Sequence, residues 1–282
     1  MLPIAIVADT GCDLPPAILA RYDIGQVSLT ARFGEYELLD TPESRNEFWD
    51  LYDISPPPQS AGPSIGDWAD AFEIALQRAD EVIAITITSK HSSTYNSAVI
   101  AAEQFDGRVH VFDSWSLSLA EGLLTLRAAK MAEEGHAAAE ILAALTSWRE
   151  RLRVFILLDT IESLQRGGRA ATIMSAIKRV SAMFSIRPIL TINEGSISLD
   201  GVVRSRKKGF NRIVSNLDGH QIEALVTAHT RNPEGGERLA DAAAEAAGYP
   251  RSEIMVVEAG PALAVHAGPG MIGMAFIEKP AT

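Results

Sequence analysis

Residues 81–98, EVIAITITSKHSSTYNSA, run an apolar, β-rich segment into a cluster of hydroxyls and then into a helix start. Val82, Ile83, Ile85 and Ile87 form the strand-like part, and Tyr95, Ala98, Val99, Ala102 and Phe105 recur at helical spacing beyond it. A strand-to-helix turn of this kind is the repeating unit of a parallel sheet covered by helices, and such sheets bind ligands at the carboxyl ends of their strands. Ser92 or Ser93 would cap the helix. The free N–H groups of its first turn, with the positive end of its dipole, favour a carboxylate or phosphate. Six of the nine residues 89–97 carry hydroxyls, more than one cap needs, although an ordinary N-cap is the plainer reading of any single one.

Outward from this turn the same alternation continues. Strand candidates at Ile4–Ala8, Val27–Phe33 and Arg108–Asp113 are interleaved with helical patterns at about Pro15–Arg21, Ser44–Tyr52 and Asp67–Arg78. Long Ala-rich helices then cover about Ser118–Trp148. The second half reads differently: a strand at Arg153–Leu158, helices near Thr160–Arg166 and Thr172–Phe184, and a hairpin over Pro188–Val203 turning at Asn193-Glu194-Gly195. Helix, strand, helix and strand follow, and a strand from Gly270 to Glu278 closes the chain. The expected fold is α/β in two domains. Residues 1–151 form a parallel-sheet, Rossmann-like unit, and residues 152–282 form an α/β unit with a mixed or antiparallel sheet.

Composition narrows the function. A chain of 282 residues with 47% hydrophobic and 22% charged residues suits a well-packed soluble protein. The net charge of −11 disfavours a general grip on a nucleic-acid backbone. Cys12 is the single cysteine, so there is no intramolecular disulfide and no cysteine set for structural zinc, and a reducing, cytoplasmic location is expected. The N-terminal MLPIAIVADT lacks a basic leader and reads as a first strand, and no apolar run reaches membrane-spanning length. The six histidines are scattered without metal-ligand spacing, and Gly167-Gly168 and Gly235-Gly236 fit neither a P-loop nor a dinucleotide fingerprint. No metal, cofactor or catalytic set is expected.

Three further loops hold polar and glycine content that packing does not require. Asp9-Thr10-Gly11-Cys12-Asp13 follows the first strand and reads as turn and cap chemistry. Ser60-Ala61-Gly62-Pro63-Ser64 precedes a helix that Ser64 would cap, which leaves Ser60 without a local task. Residues 260–270, GPALAVHAGPG, read as a glycine- and proline-fixed loop around His266. Met174, Ile177, Val180, Met183 and Phe184 recur on one face of the helix expected near Thr172–Phe184, as core or as the lining of an apolar site. The basic run Arg204, Arg206, Lys207 and Lys208 opens a helix, where cations oppose the dipole; it reads as a partner surface, a phosphate contact or a solvated charge cluster.

In order and spacing these segments resemble the DegV family. VADTGCDLP resembles its TDS-type opening, SAGPS its TSQPS, TSKHSSTYNSA its SSxLSGTYQSA, LQRGGRA its LxKGGRI, and GPALAVHAGPG its GPxxGxHTGPG; FDSWSLSLAEG is similar to its DSxSxSxGxG segment. The resemblance implies a non-enzymatic carrier that holds one long-chain fatty acid, such as palmitate or oleate, with the tail in an apolar tunnel and the carboxylate in an interdomain cleft. It also implies presentation of that fatty acid to a separate kinase subunit that makes an acyl phosphate; the basic run, read separately, offers Arg204 and Arg206 as a candidate contact. Ser60 and Ser92 then stand where the family has its hydroxyl donors, with His266 and Arg169 beside the headgroup. The chain departs from the pattern at Ala61, Gly62, His91, Ser93 and Ala267; Ser93, in place of a glycine, either crowds the carboxylate or adds a donor. The rival expectation is an enzyme acting on a small acyl or phosphoryl substrate with Ser92 as nucleophile and His266 as base. It lacks a GxSxG elbow and an orienting acid.

Overall fold

The computed structural model describes residues 2–162 and 186–280. In chain order the first half contains β1 (Leu2–Asp9), α1 (Pro16–Arg21), β2 (Gly25–Val27), β3 (Thr30–Phe33), β4 (Tyr36–Leu39), α2 (Arg45–Ile54), β5 (Gln59–Ala61) and α3 (Ile65–Leu76). It continues with β6 (Ala79–Thr86), α4 (Thr94–Ala102), β7 (Val109–Asp113), α5 (Leu119–Glu133) and α6 (Ala138–Arg151). After β8 (Leu152–Leu157) come β9 (Arg187–Asn193), β10 (Ser196–Val203), α7 (Arg206–Ser215), β11 (Ile222–His229), α8 (Pro233–Ala247), β12 (Met255–Glu258), α9 (Pro261–Ala267) and β13 (Ile272–Glu278).

The first sheet has the order β2-β1-β6-β7 and is parallel throughout, the architecture expected from the βαβ alternation. The second is six-stranded and mixed, β10-β9-β8-β13-β11-β12, with β11 and β12 as its parallel pair. Its β9–β10 hairpin turns at Glu194 and Gly195, both at positive φ (47° and 81°), the twist a two-residue hairpin loop requires.

Between the two sheets lies a shared helical layer. Ile83 and Ile85 of the first sheet, Leu119, Leu124 and Ile141 of α5 and α6, and Val226 and Ala275 of the second sheet belong to one buried cluster. Eleven residues of α5 are buried, Glu121 and Thr125 among them, as expected for a helix packed from two directions. The outer face of the first sheet packs on α3 and α4 through Val82, Ala84, Trp68 and Phe72, and that of the second on α7 and α8 through Phe276, Ile213 and Leu239.

Two features differ from the sequence expectation. The stretch Val27–Phe33 divides into β2 and β3, and β3 joins β4 and β5 in a separate antiparallel sheet, β4-β3-β5. Residues 260–270, expected as a fixed loop, contain the helix α9: Pro261 occupies its N1 position, where a missing N–H costs nothing, and Gly268 ends it at φ 65°. The small sheet and α2 bury Phe33, Phe48 and Trp49 against Ala264 and Val265 of α9, which brings β5 alongside that helix.

Candidate functional site

The site forms where three carboxyl-terminal ends meet: the turn after β6, the end of β5 and the last turn of α9. In the first, Ser92 Oγ accepts the Thr94 N–H (3.2 Å) and shares a 2.7 Å hydrogen bond with Thr94 Oγ1. Ser93 occupies the N-cap of α4 without a side-chain capping bond, so Ser92 does the capping. Gly62 packs directly on this cluster. A Cβ there would lie 2.7 Å from Thr94 Oγ1, 3.5 Å from Ser92 Oγ and 3.6 Å from Ser93 Oγ, so only glycine lets the chain after β5 approach the hydroxyls so closely.

Two residues before Gly62, Ser60 Oγ is 2.8 Å from His266 Nε2. Ser60 is fixed by the register of β5, paired opposite Ala31, and His266 by the burial of Ala264 and Val265 beneath the small sheet. The bond joins residues 206 apart in the chain. The Ser60–His266 pair thus lies two residues along the chain from Gly62, which packs on Ser92 and Ser93. Arg169 lies outside the described residues, as do Met174 to Phe184.

His266 also lines an open cavity whose space, with the solvent at its mouth included, is about 1130 Å³. Its walls are the start of α5 at Leu117–Ala120 and one face of the second sheet, including Val154, Ile156 and Val226. Space exists because the sheet carries small residues there: Ala228 of β11 and Gly273 and Ala275 of β13 line the cavity, while Ile272 and Phe276 of β13 fill the opposite core. Among the described residues, Thr88, His91, Ser118 and His266 are the polar members of the lining and the others are apolar or glycine. An apolar cavity with a few polar groups in its lining suits an amphiphile with one small headgroup.

The rim is tied across the two sheets. Thr88 Oγ1 donates to the Gly195 carbonyl (2.8 Å), and His91 Nε2 accepts the Ile197 N–H (3.0 Å), so the β9–β10 hairpin leans on the turn after β6. His91 is therefore part of the wall, a role its position in a hydroxyl-rich loop did not signal.

Beneath the site lies a group of buried acids. Asp9 accepts the Gly11 and Ile87 N–H groups (2.9 and 2.8 Å), the turn chemistry the sequence indicated, and burial pushes its carboxyl up to about 7. Burial likewise raises Asp13 to about 6, and Asp40 and Glu121 upward. Sequence reasoning did not single out Asp40 or Glu121. Among the described residues no group of acids, histidines and cysteine is arranged to hold a metal. The basic run is partly accounted for: Arg206 donates to the Gly270 carbonyl (2.6 Å) and stands 3.6 Å from Asp159. No helix among the described residues is long and apolar enough to cross a membrane.

Comparison with known proteins places this geometry. A DegV domain-containing protein of Caldanaerobacter subterraneus is 32% identical over 99% of this chain and 100% of its own length. Among solved structures, a DegV family protein from Thermus thermophilus, described for its fatty acid binding, superposes with a TM-score of 0.88 at 29% identity, covering 98% of this chain and 100% of that one. A stearic acid-binding protein from Eubacterium ventriosum gives 0.85 at 25% identity, covering 98% of each chain. Residues 3–279 match the family model described as "uncharacterised protein, DegV family", and the chain belongs to the DegV family.

Proposed function

We propose that this protein binds a long-chain fatty acid as a carrier, with the tail in the cavity between α5 and the second sheet and the carboxylate among Ser60, Ser92, Ser93 and His266. The observation that carries the reading is the junction of an apolar cavity with the Ser60–His266 pair, since His266 belongs to both. Each buried methylene contributes about 0.8 kcal/mol, so the tail supplies most of the affinity and the headgroup donors set orientation. The solved relatives described as binding fatty acid and stearic acid support the same ligand class. The reading extends to Arg169 beside the carboxylate, to residues 1–151 and 152–282 as the two domains flanking the ligand, and to presentation of the carboxylate to a separate kinase, with Arg204 and Arg206 as the candidate contact.

An enzymatic reading with Ser92 as nucleophile and His266 as base gains no support from the geometry. His266 Nε2 is engaged with Ser60, and Ser92 Oγ with Thr94. The test is extraction of purified protein followed by mass spectrometry: a fatty acid of about 16 to 18 carbons is expected, and Ser60→Ala and Ser92→Ala each lower its occupancy. A protein that yields none and takes up neither palmitate nor oleate would overturn the proposal.

A further inference from the structure

Two of the buried acids reach across to α9. Asp13 Oδ1 accepts the Gly260 N–H (2.8 Å) and its Oδ2 accepts the Ser118 hydroxyl (2.6 Å). Asp40 accepts the Ala262 N–H and the Thr10 hydroxyl, the latter at 3.1 Å. Gly260 and Ala262 are the N-cap and N2 residues of α9, so these two carboxylates satisfy the otherwise orphaned donors of the helix whose last turn carries His266. Gly260 is packed so tightly on Asp40 that a Cβ there would overlap its carboxylate.

Ser118 adds an independent sign that this contact is under tension. It is a non-glycine residue at φ 55°, ψ −149°, a region essentially reserved for glycine, and it lines the cavity. Its hydroxyl is turned away from helix capping and toward Asp13. Asp13 thereby joins the α5 wall of the cavity to the start of α9.

We propose that Asp13 and Asp40 are positioning residues of the headgroup site, holding α9 so that His266 meets Ser60; this rests on the carboxylate-binding reading above. The charged groups facing the pair are Arg45 from α2, Glu258 from β12, and Asp9 and Glu121 from below. Arg45 favours ionisation of both carboxyls, Glu258 opposes that of Asp13, and Asp13 opposes that of Asp40. A carboxylate accepts an N–H more strongly than a neutral carboxyl does, so protonation slackens the hold on α9.

The test is the release rate of palmitate from the full chain between pH 5 and 8, with the backbone amide ¹H–¹⁵N shifts of Gly260 and Ala262, the donors held by the two carboxylates, followed in lipid-free protein over the same range. In the wild type, release quickens roughly tenfold as pH falls through about 6, and the Gly260 shift moves with it. In Asp13→Asn, release is fast and loses this inflection, and the Gly260 shift no longer follows pH; a variant that keeps the wild-type inflection overturns the inference. The free-energy increment per methylene from C12 to C18 acids stays as in the wild type, which a general loss of folding would not allow. A wild type that binds palmitate with a flat release profile overturns the inference, and this arm needs no variant to fold. A wild type that binds no fatty acid but shows the Gly260 amide shift would overturn the ligand reading alone.

Discussion

Replacing Gly273 with leucine should shorten the chain this protein holds. Gly273 sits on β13 between Ala228 and Ile156 of the neighbouring strands and lines the cavity. A Cβ at this position would be 3.5 Å from the Phe155 carbonyl oxygen, 3.6 Å from Ile156 Cγ1 and 3.7 Å from Met271 Sδ, ordinary contact distances that need no backbone shift. The three remaining leucine carbons then occupy cavity volume and displace about three methylenes of a bound tail. At about 0.8 kcal/mol each, the loss is roughly 2.4 kcal/mol, or about 50-fold in Kd, for an acid that fills the cavity. A C10 acid that does not reach this point should bind unchanged. Competition titration of C10 to C18 acids reads the ratio directly, with the urea midpoint confirming that the variant is folded. An unchanged C18 to C10 ratio, or an equal loss for both, would refute the placement of the tail along β13.

Two further outcomes follow from the rim and the buried acids. Asp9 has a folded-state pKa of about 7 against an ordinary value of 3.8, so the native state holds its proton more tightly than the unfolded chain. Its contribution to stability is complete below pH 4 and is lost as pH rises through 7, by roughly 4 kcal/mol at about 1.4 kcal/mol per unit. Urea unfolding of Asp9→Asn should therefore gain on the wild type by that order between pH 4 and 8, and parallel profiles would show that burial does not control this carboxyl. Thr88→Val removes the donor to Gly195, and stopped-flow exchange of a fluorescent fatty acid should show both association and dissociation about fivefold faster with Kd little changed, as expected if about 1 kcal/mol held the hairpin down. A change in Kd alone would place Thr88 among the ligand contacts instead.

The parallel half of the fold was legible because strands such as β6 (Ala79–Thr86) and the Ser64 cap with Asp67 obey local rules that tertiary packing reinforces. The small sheet was not: β5 has three residues, and β4, exposed at Tyr36, Glu37 and Leu39 and buried at Leu38, shows no apolar alternation. The helix α9 was misread because its prolines and glycines mark its ends, Pro261 at N1 and Gly268 beyond Ala267, rather than a loop. Ser60 and His266 could be linked only through the family pattern, since no local rule pairs residues 206 apart. The cavity floor needs two strands at once, because Gly273, Ala275 and Ala228 look like unremarkable small residues until β11 and β13 align them. Asp40 carried no signal, its burial to 3% exposure arising only when α9 closes over it.

The helical layer shared by the two sheets also sets how a ligand must come and go. Because α5 is buried from both sides, swinging the sheets apart like a clamshell would expose Leu119, Leu124 and Ile141 to water at once, at a cost comparable to that of losing much of the fold. The proposed ligand would then exchange at the periphery, where single hydrogen bonds such as Thr88 to Gly195 tie the rim of the cavity together. A container built this way separates retention from stability: its residence time can be tuned by rim residues that contribute little to holding the protein folded.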